Sequence, residues 1–550
     1  MQTLKGNSVC NGIACGKIFF INKSSVNIER KPTDDIPKEL NRLENAVTKG
    51  IEELEELRQK TEKSADADTA GIFDTHILML SDDDFINDIK SYITENKVCA
   101  EYAVSEISKK YVQLFRNMDN AYLRERSRDV ADISERLINI LSDTEYNSLT
   151  SGNVIIAADD LSPSETAGFD REHVMGFILK GGSATSHTSI LAKTMNIPAI
   201  INIGDALTPD YDGKTAYIDG SDGKIYIEPD TATTEMLENK RIHEKIRLEE
   251  LNKLKGKPNI TKNSKEIMLF ANITTSADVD RIIDNDARGI GLLRSEFLYM
   301  DRKTLPSENE LFEMYKSIAE KMDCKPVIIR TLDIGADKKT DALDLPYEEN
   351  PALGWRAIRI CLERTDIFET QLRAIYRASA YGNIYIMLPM IISVDEVVRA
   401  KEIIKKVCSD LKSENIPFKE IPVGIMIETP AAAIISDKLA KHVDFFSVGT
   451  NDLTQYTLAA DRQNPHLSKL YTAHHTAILR LIKLAADNIH KEGKWIGICG
   501  EAAADNELLK LFIAIGIDEF SVSSGYLLPV KELILNTDLT GYTLPDELNI

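Results

Sequence analysis

No stretch of the 550-residue chain approaches the ~18 uninterrupted apolar residues of a membrane-spanning helix. The amino-terminus, Met1-Gln2-Thr3-Leu4-Lys5-Gly6, lacks the apolar core of a secretory signal. The seven cysteines (Cys10, Cys15, Cys99, Cys324, Cys361, Cys408, Cys499) show no metal-type pairing. Their odd, dispersed set suits reduced thiols and not a disulfide framework. Positive charge is also short. With 66 Lys and Arg against 87 Asp and Glu, the net charge is −21, which argues against nucleic acid and anionic membranes. A cytoplasmic globular protein is the expectation, and its length implies two to four domains.

The first 20 residues are apolar and Gly-punctuated, and read as strands. Residues 21–145 read as a helical domain, since Leu40, Leu43, Val47, Ile51, Leu54 and Leu57, then Val130, Ile133, Leu137 and Leu141, recur at helical spacing. Acidic runs such as Glu52-Glu53-Leu54-Glu55-Glu56 separate the apolar positions. They suit a solvated helix face, or a docking face for a basic partner. Strand patterns resume at Val154–Ala157 and Val174–Leu179, and Gly220 and Gly223 bracket a hairpin turn. Residues 1–20 and 146–230 therefore form one α/β domain with a helical bundle inserted. A charged linker helix is expected over 231–260. From 261 to 550 eight strand patterns alternate with helices, near 267–271, 289–293, 326–331, 384–389, 422–427, 444–448, 494–498 and 519–523. That number and length match a (β/α)₈ barrel, with a doubly wound sheet as the alternative.

Two regions carry chemistry. In Gly181-Gly182-Ser183-Ala184-Thr185-Ser186-His187-Thr188 a histidine sits among small hydroxyl residues ahead of a helical pattern. Small residues and a helix start admit a phosphate, and the imidazole there can act as a phosphoryl acceptor. A capped turn with an incidental histidine is the plainer reading. In the barrel, the strand ends hold Arg294, Arg330, Glu428, Asn451, Asp452 and Cys499, with Lys338 and Arg462 in the following loops. Singly, such residues are ordinary surface charges or core. Together on the rim where barrel enzymes place their sites, arginine forks suit carboxylate and phosphate. Two carboxylates with a phosphate suit Mg²⁺. The implied ligand is a small phosphorylated acid.

Several segments carry a closer likeness. Gly291-Leu292-Leu293-Arg294-Ser295-Glu296-Phe297-Leu298, Arg330-Thr331-Leu332-Asp333-Ile334-Gly335, Asn350-Pro351-Ala352-Leu353-Gly354-Trp355-Arg356, Glu428-Thr429-Pro430-Ala431-Ala432 and Gly449-Thr450-Asn451-Asp452-Leu453-Thr454-Gln455-Tyr456 resemble the Enzyme I family of bacterial sugar phosphotransferase systems. The resemblance spans essentially the whole chain. It implies a swivelling phosphohistidine domain with an inserted helical bundle, followed by a (β/α)₈ barrel. It implies transfer of the phosphoryl group of phosphoenolpyruvate to His187, held by Thr166, and onward to the histidine phosphocarrier HPr. Arg294, Arg330, Asn451, Arg462 and Lys338 then correspond to substrate contacts, Glu428 and Asp452 to Mg²⁺ ligands, and Cys499 to a proton donor. The family forms homodimers through its barrel. One departure is Ala184, where the family usually has arginine. It is the only support for a rival reading, a non-catalytic regulatory relative. A dikinase or synthase sharing both modules would need a nucleotide-binding domain for which the chain has no room.

Overall fold

The computed structural model describes the chain apart from residues 22–27, 64–66, 117–120, 143–151, 160, 162–172, 183–187, 190–191, 193–196, 301, 303, 337–339, 463, 468 and 549–550. It divides into two compact units, Met1–Arg247 and Leu248–Ile550.

The first unit is built on an eight-stranded sheet. Strands β1 (Gln2–Lys5), β2 (Asn7–Cys10), β3 (Ile13–Ile21), β4 (Val154–Ala158), β5 (Val174–Leu179), β6 (Ala199–Ile201), β7 (Thr215–Asp219) and β8 (Lys224–Ile227) lie in the order β1-β8-β7-β3-β4-β5-β6-β2. β3 through β6 run parallel, and β7 and β8 form the expected hairpin. The short β6 has no pattern of its own, since three apolar residues are too few to signal a strand.

Between the adjacent parallel strands β3 and β4 the chain builds five helices: α1 (Ile36–Lys63), α2 (Ala67–Leu80), α3 (Asp83–Asn96), α4 (Ala100–Arg116) and α5 (Ala121–Leu141). Leu43, Leu54, Phe73, Ile89, Val104, Ile133 and Leu137 close a core of their own. Apolar residues at 3.6-residue spacing bury one face of each helix and leave the acidic face wet. Part of the Asp82-Asp83-Asp84 run is a cap. The Asp82 carboxylate accepts from the amides of Asp84 and Phe85 at 2.8 and 3.3 Å and starts α3. A long helix, α6 (Thr231–Asn252), follows β8. No described helix is long and apolar enough to cross a membrane.

The second unit is a closed barrel and not a doubly wound sheet. Its strands are β9 (Met268–Ile273), β10 (Ile290–Arg294), β11 (Pro326–Arg330), β12 (Asn383–Leu388), β13 (Val423–Ile427), β14 (Phe445–Val448), β15 (Trp495–Ile498) and β16 (Glu519–Ser523). All are parallel, and β16 closes on β9 with Glu519 opposite Met268. Each lies within a residue or two of its expected place. Alternate side chains point outward to the helices or inward to the lumen, where Leu292, Ile328, Met387, Met426, Phe445 and Cys499 pack together. Helix starts are strongly marked. Ser307 with Glu310, and Ser393 with Glu396, form reciprocal capping boxes.

Candidate active site

The carboxyl ends of the barrel strands carry a chain of buried charges. Arg330, the last residue of β11, donates to Glu296 Oε1 at 2.6 Å and pairs with Asp333 Oδ2 at 2.8 Å. The other Asp333 oxygen accepts from Arg356 Nη2 at 2.8 Å. Arg356 Nη1 donates to the Tyr456 hydroxyl at 3.2 Å, and that hydroxyl donates to the Ala352 carbonyl. All four charged side chains are buried. Burial opposes charge on Arg330, but Asp333 and Glu296 outweigh it and hold the guanidinium above its ordinary range. Asp333 does the same for Arg356. The result is a rigid, permanently charged platform.

Beside it, Arg294 ends β10 directly opposite Arg330 in the strand register. Its side chain is exposed, and it makes no ion pair among the described residues. Two guanidinium-bearing positions on adjacent strands suit an anion with several oxygens. Across the rim, Glu428 follows β13 and is 1% exposed. Its Oε1 accepts from the Met390 amide at 2.6 Å, while Oε2 has no hydrogen-bond partner among the described residues. Met390 holds a positive φ of 59° to aim that amide, a conformation that costs energy in a residue with a side chain. Burial, then the nearby Asp452 and Asp333, push the Glu428 carboxyl up to about 8.

Asn451 and Asp452 open the helix after β14. Asn451 exchanges 3.3 Å hydrogen bonds with Glu501. Arg462 is exposed, with Nη1 4.0 Å from Asp452 Oδ1. Cys499, just past β15, donates to the Val448 carbonyl at 3.5 Å. Burial pushes its thiol up to about 12, so it stays protonated.

Comparison with known proteins fits this arrangement. The family model for the PEP-binding domain of PEP-utilising enzymes matches residues 248–539. The models for their N-terminal and mobile domains match residues 5–126 and 150–223. The phosphoenolpyruvate-protein phosphotransferase of Bacillus subtilis (strain 168) is 43% identical over 97% of this chain and 94% of its own. That of Priestia megaterium is 42% identical over the same shares. That of Listeria monocytogenes is 40% identical over 98% of this chain and 94% of its own. This chain belongs to the phosphoenolpyruvate-protein phosphotransferase family.

Membership makes the chain an enzyme, and the relatives' names do not favour the regulatory alternative. Of the residues singled out from sequence, Arg294, Arg330, Glu428, Asn451, Asp452, Arg462 and Cys499 gather at one end of the barrel. His187, Thr166 and Lys338 lie outside the described residues. Three participants had been noticed only as strand-end or motif residues. Glu296, Asp333 and Arg356 form the buried platform with Arg330, and two of its pairs join residues 34 and 23 positions apart. No local pattern announces such a pairing.

The carboxylates also fit a hard cation. Glu428 keeps an unpartnered buried oxygen facing the field of Asp452. Such a pair is relieved either by a proton or by a metal. No set of three described His, Cys, Asp or Glu side chains converges as a metal site. Two protein oxygens, with water and substrate oxygens completing the shell, match the habits of Mg²⁺.

Proposed function

We propose that this enzyme transfers the phosphoryl group of phosphoenolpyruvate to His187 and then to a histidine of an HPr-type carrier, releasing pyruvate. The observation that carries the barrel half is the Glu296–Arg330–Asp333–Arg356 platform beside Arg294.

Arg294, Arg330, Arg462 and Lys338, with Asn451, bind the phosphate and carboxylate oxygens. Their preset charge favours a transition state in which negative charge spreads over the transferring group. Glu428 and Asp452 hold Mg²⁺, which when bound polarises the phosphoryl oxygens and neutralises their charge. Neutral His187, positioned by Thr166, attacks phosphorus as the bond to the enol oxygen breaks. Cys499 protonates the methylene carbon of the departing enolate. Since His187 and the rim belong to different units, they come together and part in each cycle, with the segment around α6 as the hinge. The acidic helical bundle docks the basic carrier, and the barrel joins two copies into a homodimer. The setting is cytoplasmic, at the entry to sugar uptake.

Incubation with labelled phosphoenolpyruvate and Mg²⁺ tests the reading. An acid-labile, base-stable label is expected on His187 and is lost completely in His187→Ala. Undiminished labelling of that variant refutes the assignment.

A further inference from the structure

One lumen residue has no part in the mechanism above. Glu519, the first residue of β16, is 0% exposed. Neither carboxyl oxygen makes a hydrogen bond among the described residues. The side chain points into the barrel. A methyl group placed on Gly497 of β15 would lie 2.0 Å from Oε2, and one on Gly291 of β10 would lie 2.5 Å from Oε1. Two glycines on different strands therefore leave the room that the carboxyl fills.

Strand register shows what faces it. Gly497 pairs with Glu519 on one side and with Ser447 of β14 on the other. Ser447 and Glu519 thus flank the bare Gly497 on the same lumen face, with no hydrogen bond between the hydroxyl and the carboxyl. Ser447 Oγ is buried and likewise lacks a hydrogen-bond partner among the described residues. Cys499 lies two residues beyond Gly497 on the same lumen face, one layer nearer the rim. Its thiol lies close enough to Ser447 for the hydroxyl to favour its anion, and it senses the Glu519 carboxyl.

We infer that Glu519 is the proton reservoir for Cys499, connected to it through the Ser447 hydroxyl and a water that bridges the two unpartnered groups across Gly497. This rests on the reading of Cys499 as the proton donor. When the enolate is protonated, the S–H bond breaks, a C–H bond forms at the methylene carbon, and sulfur keeps the electron pair. The carboxyl O–H of Glu519 then breaks. Ser447 passes its own proton to sulfur and takes one from the bridging water, which takes that of Glu519, leaving a thiol, an unchanged water and a carboxylate. Solvent returns a proton to the carboxylate along the same path between turnovers.

Intrinsic acidity favours this direction. A carboxylic acid is intrinsically about four units more acidic than a thiol, and both groups are raised chiefly by burial. The Ile498 amide acts in the opposite sense, and burial outweighs it. Among the described residues, the titratable and charged groups that line this part of the lumen are Cys499 itself, Tyr385 and, beyond them, Arg330 and Glu428. The rest of the lumen lining is neutral, with Leu292, Ile328, Met387, Met426 and Phe445 apolar. A dry, unpaired carboxyl destabilises the barrel, and at neutral pH it carries a penalty that a glutamine of the same shape escapes, that of staying protonated where the unfolded chain ionises. Supplying a proton is what glutamine cannot do.

The test uses the full-length protein and separates two half-steps. Deuterium uptake into the methyl group of pyruvate, catalysed by the phosphorylated enzyme with Mg²⁺ in D₂O, reads proton transfer at carbon. Quenched single-turnover labelling by phosphoenolpyruvate reads phosphoryl transfer. In Glu519→Gln, deuterium uptake is expected to fall by about tenfold or more while labelling stays within about twofold. Unchanged uptake, or an equal fall in both steps as a structural role would give, overturns the inference. Cys499→Ser keeps the underlying reading separate. If uptake survives in Cys499→Ser, the proton-donor assignment itself fails. If uptake is lost there but intact in Glu519→Gln, only the reservoir fails. Should Glu519→Gln not fold, Ser447→Ala reads the same path. Reduced uptake with normal labelling supports it, and normal uptake overturns it.

Discussion

The exposed ion pairs of the helical bundle differ in kind from the buried ones at the barrel rim. In the bundle, Lys90 meets Glu44 at 2.7 Å and Arg58 meets Asp74 at 3.2 Å, with side chains largely in water. In the barrel, Arg330 with Glu296 and Arg356 with Asp333 are closed off from it. Water and salt reduce an exposed pair to about 0–1 kcal/mol. Removing one partner of a buried pair strands a charge, at about 3–5 kcal/mol. Bundle charges can thus rearrange around an incoming protein. Barrel charges form a fixed field, ready for a small anion before it arrives.

The hardest test of this contrast is functional. Glu428→Gln and Asp452→Asn are expected to slow labelling by phosphoenolpyruvate about 10³-fold, the loss of several kcal/mol of charge stabilisation. Transfer from phosphorylated HPr onto His187, which in the proposed cycle uses only the first unit, should be unchanged. Equal loss in both directions, in folded protein, breaks the division of labour. Next in size, Arg356→Ala should destabilise the barrel by about 3 kcal/mol or more in denaturant titrations. A loss below about 1 kcal/mol would put the buried pair in the same class as the bundle's.

A smaller effect depends on pH. Glu519 ionises at higher pH in the folded barrel than in the unfolded chain, because burial penalises its anion. Below about pH 4 both states hold the proton, and the group carries no penalty. As pH rises the unfolded chain releases its proton first. Stability then falls by up to about 1.4 kcal/mol per unit until the folded carboxyl ionises too. Barrel melting of wild type and Glu519→Gln should therefore agree near pH 4 and diverge toward pH 7, with the variant more stable. Parallel curves would mean that the carboxyl is not held neutral. The smallest effect sharpens the comparison from the other side. Lys90→Ala should change bundle stability by less than about 1 kcal/mol, and high salt should erase the difference.

The barrel's strands were legible because each is a short apolar run between polar punctuation, and pattern alone counts them to eight. The rim residues were legible because strand ends follow from strand positions. The Glu296–Arg330–Asp333–Arg356 chain was not, since it depends on which loops come to face each other after closure. Glu519 was hidden for a related reason. A charged residue opening a strand reads as solvent-facing, and only the opposing Gly291 and Gly497 reveal that it turns inward. In the first unit, β6 escaped notice because its three residues pair through neighbours distant in sequence.

The placement of the bundle between β3 and β4 bears on how the chain assembles. These strands are neighbours, with Ile21 opposite Ala158, yet about 130 residues separate them along the chain. The equilibrium cost of so long a crossover is modest. Lengthening a dozen-residue connection tenfold adds only about 2 kcal/mol of closure entropy. The kinetic cost is greater, because β1 must also wait for β8, its only partner strand among the described residues, with Gln2 opposite Ile227. On the ribosome the first three strands emerge with nothing to pair with until the bundle and most of the sheet have been made. The bundle can close its own core in that interval, since its contacts are local. It should therefore fold first, and the sheet should assemble afterwards, as the slow step in maturation of the first unit.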